Sequence, residues 1–153
     1  MKTGDIMLTI REYQIMDKDA VMELIKLNTP KYFAPEETEY LSNYLDNEIE
    51  LYYVLVLHDK IVGCGGIHFA EDKTIGELSW GMIHPSYQGQ SLGKQLLKYR
   101  IGVLKSVDSV QKITVRTSQL VYRFYEKQGF VLKETKKDYW GKGLDLYSME
   151  YKD

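Results

Sequence analysis

The stretch HPSYQGQSLGKQLLKYR, residues 84–100, follows a strand-like run, IGELSWGMI, and opens a run of apolar residues at helical spacing. Gln88, Gly89, Gln90, Ser91, Leu92 and Gly93 therefore form a loop between a strand and a helix. Backbone N–H groups exposed at a helix start, together with the positive end of its dipole, attract phosphate. A diphosphate held in this way needs no metal, and Lys94 adds positive charge in the first turn. The stretch is not a Walker loop, which ends in Gly-Lys-Ser/Thr, and its glycine spacing does not fit a dinucleotide fingerprint. A plain tight turn accounts for the same residues equally well.

The elements that must position this loop follow from hydrophobic periodicity. IMLTIREY (6–13) alternates as a strand does. DKDAVMELIKLN (17–28) reads as a helix with Asp17 as N-cap and Val21, Leu24, Ile25 and Asn28 on neighbouring turns. PEETEYLSNYLDN (35–47) starts with a proline and acids, as helices do, and has Tyr40, Leu41, Tyr44 and Leu45 as its apolar face. ELYYVLVLH and KIVGCGGIHFA flank His58-Asp59-Lys60 as an antiparallel hairpin, and TIGELSWGMI (74–83) adds a third strand. The glycines around Cys64 predict a bulge or a close backbone approach.

The helix over 91–105 has Leu92, Leu96, Leu97, Val103 and Leu104 inward. QKITVRT (111–117) is a short strand, and QLVYRFYEKQ (119–128) is a helix stopped by Gly129. FVLKETKKDYW and LDLYSMEYK close the chain as a hairpin. The order β-α-α-β-β-β-α-β-α-β-β joins an antiparallel meander to a βαβ crossover, an α/β (α+β) arrangement in one mixed, mostly antiparallel sheet. With 153 residues and no linker or repeat, one domain over 1–153 is expected.

Composition narrows the function. Hydrophobic residues make up 44% and charged residues 27%, as in soluble globular chains. A net charge of −2 and a pI near 5.9 argue against a nucleic-acid platform. No apolar run reaches the roughly 18 residues that span a bilayer, and the start of the chain lacks a signal peptide's apolar core. The single cysteine, Cys64, forms no internal disulfide and fits a reducing compartment, so a cytoplasmic location is expected. No two histidines have metal-ligand spacing, so no metal is expected. His84 reads as a polar strand cap, His68 as a residue facing an acceptor site, and Cys64 as a small buried residue.

A second motif follows the next strand. SQLVYRFYEKQGFVLKE (118–134) ends its helix in FYEKQGF, about thirty residues after YQGQSLGKQLL. This ordered pair, with the element order, resembles the GNAT superfamily of N-acetyltransferases over nearly the whole chain. The resemblance implies an acetyl-CoA-dependent N-acetyltransferase acting on a primary amine, of a small molecule or a peptide, in a ternary complex, and a homodimer through the last strands. Gln88 and Gly93 match the first and last positions of the family's diphosphate loop. Ser91 stands where the family has a glycine, lacks glycine's freedom at positive φ, and is expected to cap the helix. Met82 and Ile83 match the segment whose backbone pairs with the pantetheine arm.

Tyr125 falls where many members keep a tyrosine near the thioester sulfur, with the implied role of general acid. Ser118 takes the place of an asparagine that holds the pantetheine. Glu77 lies eleven residues before Gln88, the offset of a glutamate base in the histone-modifying branch. Alternation along GELSWGMI puts Glu77, Ser79 and Gly81 on one face and Leu78, Trp80 and Met82 on the other. Tyr32, Phe33, Tyr139 and Trp140 make an apolar mouth for the acceptor, beside Glu36, Glu37 and Glu39. The alternative is a non-catalytic acyl-CoA-binding or regulatory module of the same fold, which Ser91 and Ser118 favour.

Overall fold

The alternating runs assemble into one seven-stranded sheet. The computed structural model describes residues 8–152, so Ile6 and Met7 of the expected first strand lie outside the described residues. The strands are β1 (Leu8–Glu12), β2 (Leu51–Leu57), β3 (Lys60–Phe69), β4 (Ile75–Ile83), β5 (Lys112–Thr117), β6 (Phe130–Gly141) and β7 (Leu144–Tyr151). The helices are α1 (Lys18–Leu27), α2 (Glu37–Asn47), α3 (Leu92–Lys105) and α4 (Tyr122–Lys127), with 3-10 turns at Ile15–Asp17 and Pro85–Tyr87. The spatial order is β1-β2-β3-β4-β5-β7-β6. Among the described strands only β4 and β5 pair in parallel, because α3 carries the chain back across the sheet between them. His58 and Asp59, at φ +49° and +65°, make the tight turn that joins β2 to β3.

Helices cover both faces, which is why β2 reads LYYVLVL rather than alternating. Val21, Leu24, Ile25, Leu41 and Leu45 of α1 and α2 pack on Tyr52, Val54 and Cys64. Leu96, Leu97 and Leu104 of α3 pack on Leu55, Ile67 and Leu78 of the other face, where Tyr125 and Phe130 also lie. Among the described residues no helix is long and apolar enough to cross a membrane.

Several local expectations are corrected. Asp17 does not cap α1. Its carboxylate accepts hydrogen bonds from both terminal nitrogens of Arg11, at 2.8 and 3.0 Å, and from the Gln14 amide, and the Arg11 guanidinium holds its pKa below the usual carboxylate range. Tyr40 is 64% exposed, and Glu37 takes the inward place on α2 instead. Helix α4 begins only at Tyr122, because residues 119–121 form a turn. On α3, Val103 is only half-buried, whereas Arg100 and Ile101 are buried.

Two irregularities open the sheet. Strands β4 and β5 pair from Ile75↔Lys112 to Leu78↔Val115 and then part. Just there, β4 bulges against β3. Cys64 pairs with Met82 and Gly66 with Ser79, so Gly65 faces both Trp80 and Gly81. Trp80 sits at φ +48°, rare for a bulky side chain. A one-residue bulge slips the strand's period, so the expected faces hold only up to the bulge. Leu78 packs toward α3, but Trp80 and Met82 pack toward α1 and α2, and Gly81 turns to α3. Of the glycines around Cys64, Gly65 is the one opposite the bulge, whose extra residue lies on β4.

Candidate active site

The parted strands enclose a cleft of about 750 Å³ between the start of α3 and the α1–α2 loop. Glu77, Met82, Ile83, Gln88, Gly89, Ser91, Gly93, Lys94, Ser118 and Tyr125 all line it. Gln90 and Leu92 do not line it: Gln90 is exposed, and Leu92 is buried against the core beneath α3. Tyr32, Phe33 and Trp140 form the mouth, together with Trp80. Tyr139 is not part of the lining; it stacks edge-on against Trp140, 5.0 Å between centroids.

At the loop, the helix start is strained. Ser91 occupies the N-cap of α3 at φ +61° and ψ +13°, and its side chain makes no cap bond, contrary to expectation; its Oγ accepts from Gln95 Nε2 at 3.4 Å. A left-handed conformation costs a non-glycine residue about 1 kcal/mol or more. Ser91→Gly is therefore expected to raise unfolding stability by about 1 kcal/mol in a denaturant titration.

Behind the loop, Gln88 turns inward. Its Nε2 lies 3.3 Å from the Ile83 carbonyl and 3.4 Å from Asn28 Oδ1. Asn28, 3% exposed, donates to the Ile83 carbonyl at 3.2 Å and to the Leu24 carbonyl at 2.8 Å. The Ile83 carbonyl is thus already used, and Gln88 serves the shape of the loop. The bulge is pinned from the α1–α2 side, where Tyr52 donates to the Trp80 carbonyl at 3.0 Å. Phe33 stacks on Trp80 with centroids 6.3 Å apart and planes 17° from parallel.

Tyr125 is 8% exposed and packs edge-on against Phe124 and Phe130, at 5.1 and 5.4 Å. Among the described residues its hydroxyl has no hydrogen-bond partner. Ser118 is buried and its Oγ accepts from the Leu120 amide at 3.2 Å, so it shapes the turn into α4. Glu77 accepts from Thr114 Oγ1 at 3.5 Å across the rung before the last paired one of β4 and β5. His84 caps its 3-10 turn, accepting from the Ser86 amide at 3.0 Å. His68 is paired with Glu50 on the exposed surface and does not line the cleft, contrary to expectation. Burial pushes the Cys64 thiol up to about 12, which leaves no thiolate for nucleophilic chemistry at neutral pH. Among the described residues no cluster of His, Cys, Asp and Glu is placed to hold a metal ion.

Residues 19–130 match the sequence profile of the Acetyltransferase (GNAT) family. The chain belongs to the GNAT acetyltransferase family. The GNAT fold extends over the described sheet. The ribosomal-protein-S18-alanine N-acetyltransferase of Escherichia coli superposes with a TM-score of 0.77 at 22% identity, covering 95% of this chain and 93% of that one. N-acetylglutamate synthase of Neisseria gonorrhoeae, in complex with coenzyme A and N-acetyl-glutamate, superposes with a TM-score of 0.72 at 16% identity, covering 95% of this chain and 35% of that one. Among curated proteins, an amino-acid acetyltransferase of Pectobacterium carotovorum subsp. carotovorum (strain PC1) is 28% identical over 126 residues, 82% of this chain. The chain spans only 27% of the length of that relative.

Two cleft residues of this GNAT chain carry only a weak sequence signal. Asn28 is a polar residue among Val21, Leu24 and Ile25, the mark of a buried bond. Arg100 stands at inward spacing from Leu96 and Leu97. It is 3% exposed and lines the cleft from α3.

Proposed function

We propose that this chain transfers the acetyl group of acetyl-CoA to a primary amine, carried by a small molecule or a peptide, by direct attack in a ternary complex. The observation that carries the reading is the parting of β4 and β5 beside the mouth of α3, with the free Tyr125 hydroxyl on its wall. The cradle fits a diphosphate. A Cβ on Gly89 would meet nothing within 4 Å, and one on Gly93 would meet only Phe124 and Ile83 at 3.5–3.7 Å, so the amides at the helix start are open to a ligand. Lys94 adds charge there, and Met82, which lines the cleft, is the β4 residue whose backbone would pair with an extended pantetheine arm.

Acetyl-CoA supplies an activated carbonyl. The chain's residues do the rest. Glu77, held by Thr114, takes the proton that an ammonium must lose before it attacks. Backbone amides at the bulge polarise the carbonyl, as preorganised donors do where negative charge develops. Tyr125 gives its proton to the departing sulfur, since a thiol has a pKa of about 8.5 and leaves best protonated. The alternative, an acyl-CoA-binding module without turnover, draws on the strained Ser91 and the occupied Ser118.

Thiol release from acetyl-CoA, measured over a panel of amines that includes amino acids, tests the reading. Release with at least one amine is expected, and Glu77→Gln is expected to flatten the acid limb of its pH–rate curve. A rise in melting temperature with acetyl-CoA but no release with any amine supports the binding module instead.

A further inference from the structure

Arg100 is a buried cation without a counter-ion. It projects from the third turn of α3 toward the bulge of β4, 3% exposed. Its Nη1 donates to the Gly66 carbonyl at 3.1 Å, its Nε has no partner, and no carboxylate among the described residues pairs with it. Two glycines admit it. A Cβ at Gly65 would lie 2.7 Å from the guanidinium carbon, and one at Gly81 3.0 Å from Nη2. These are the residues that face each other across the bulge, so any side chain at Gly65 would expel the guanidinium. Burying an unpaired charge costs several kcal/mol, and an apolar residue of equal volume serves stability better. A buried donor left unsatisfied calls for an explanation in function.

Resting on the acetyltransferase reading above, we propose that Arg100 is a positioning residue for acyl transfer. It fixes the β4 bulge from the α3 side, through the Gly66 carbonyl and the glycine pair, and its charge strengthens the bulge amides against the negative charge that develops on the acyl oxygen. Tyr52 holds the same bulge from the opposite side through the Trp80 carbonyl. The donors are thereby clamped between two side chains, and only one of these carries charge. A fixed charge in a poorly hydrated site acts more strongly than the same charge in water.

The test compares Arg100→Met, which keeps the bulk and removes the charge, with Arg100→Lys, which keeps the charge. For each, kcat and KM for acetyl-CoA, the melting temperature, and the infrared carbonyl stretch of bound carbonyl-labelled acetyl-CoA are measured. Arg100→Met is expected to lower kcat about 10- to 100-fold, to leave KM for acetyl-CoA within about twofold, and not to lower the melting temperature. The wild-type protein is expected to shift the bound carbonyl to lower frequency, Arg100→Met to lose that shift, and Arg100→Lys to recover part of both shift and rate.

A melting temperature that falls while the carbonyl frequency and kcat stay at the wild-type values overturns the proposal and leaves Arg100 a packing residue. So does a wild-type preference for an acyl-CoA bearing a terminal carboxylate that only Arg100→Met abolishes, since the guanidinium then pairs with the acyl chain itself. The infrared measurement needs no amine, so it still decides the matter if the acceptor panel is silent. If acetyl-CoA neither raises the wild-type melting temperature nor gives a bound carbonyl band, the acetyltransferase reading falls, and this proposal with it.

Discussion

Tyr125→Phe is expected to lower kcat about 100-fold, near the lower end of what a positioned general acid contributes, with KM for acetyl-CoA nearly unchanged. Phenylalanine fills the same space, keeps the edge-on contacts to Phe124 and Phe130, and removes a hydroxyl that bonds to no described residue. The melting temperature should therefore hold. The loss should shrink with acyl donors whose leaving thiol is more acidic, because a sulfur that departs readily as thiolate has less need of a proton. A variant with full activity, or one that loses rate equally for all leaving groups, removes the acid role from this residue.

Gly93→Val is expected to act on binding instead. In the second position of α3 an added Cβ meets Phe124 and Ile83 at ordinary contact distance, so the first carbon of the side chain has room. The branched methyls, however, are expected to crowd a diphosphate at the helix mouth. Losing one hydrogen bond to the amides there should raise KM for acetyl-CoA about 10- to 100-fold, at about 1.5–3 kcal/mol for a bond to a charged group, while kcat at saturation changes little. An unaltered KM places the diphosphate elsewhere. Ser91→Gly, two residues earlier, provides the contrast. It removes strain at the same helix mouth without adding bulk there, so a gain in stability together with a loss of affinity in Gly93→Val separates backbone strain from obstruction.

Local sequence carried the place of the loop and the C-terminal end of α4, though not the start of that helix or the cap at Ser91. The strand–loop–helix switch at Gln88 to Gly93 depends on residues adjacent in the chain, and so does the FYEKQGF helix end. The order of elements, and hence the parallel β4–β5 pair, followed from the same periodicities. What stayed hidden depends on residues far apart in sequence. The bulge is a register slip between Gly65 and the Trp80–Gly81 pair, and nothing within IGELSWGMI announces that its period of two breaks. That slip is why Gly81 and Trp80 exchange faces relative to the alternating pattern. Asn28 and Arg100 were hidden for a related reason. A polar residue on an apolar helix face reads as an imperfection until the carbonyl it meets, Ile83 or Gly66, is seen on a strand tens of residues away. Asp17 failed as a cap because a better partner, Arg11, lies across the turn from it.

The slip in β4 has a further meaning for how such a slot arises. If Trp80 were excised, Ser79, Gly81 and Met82 would fall in order opposite Gly66, Gly65 and Cys64, and each would keep the face it now has. The β3–β4 ladder would then run without a slip, at the loss of the Trp80 ring from the layer of α1 and α2. One residue more in β4 than in β3 thus sets the bulge, a difference that a single-codon insertion supplies in one step, and the inserted ring is the one that Phe33 and Tyr44 pack on.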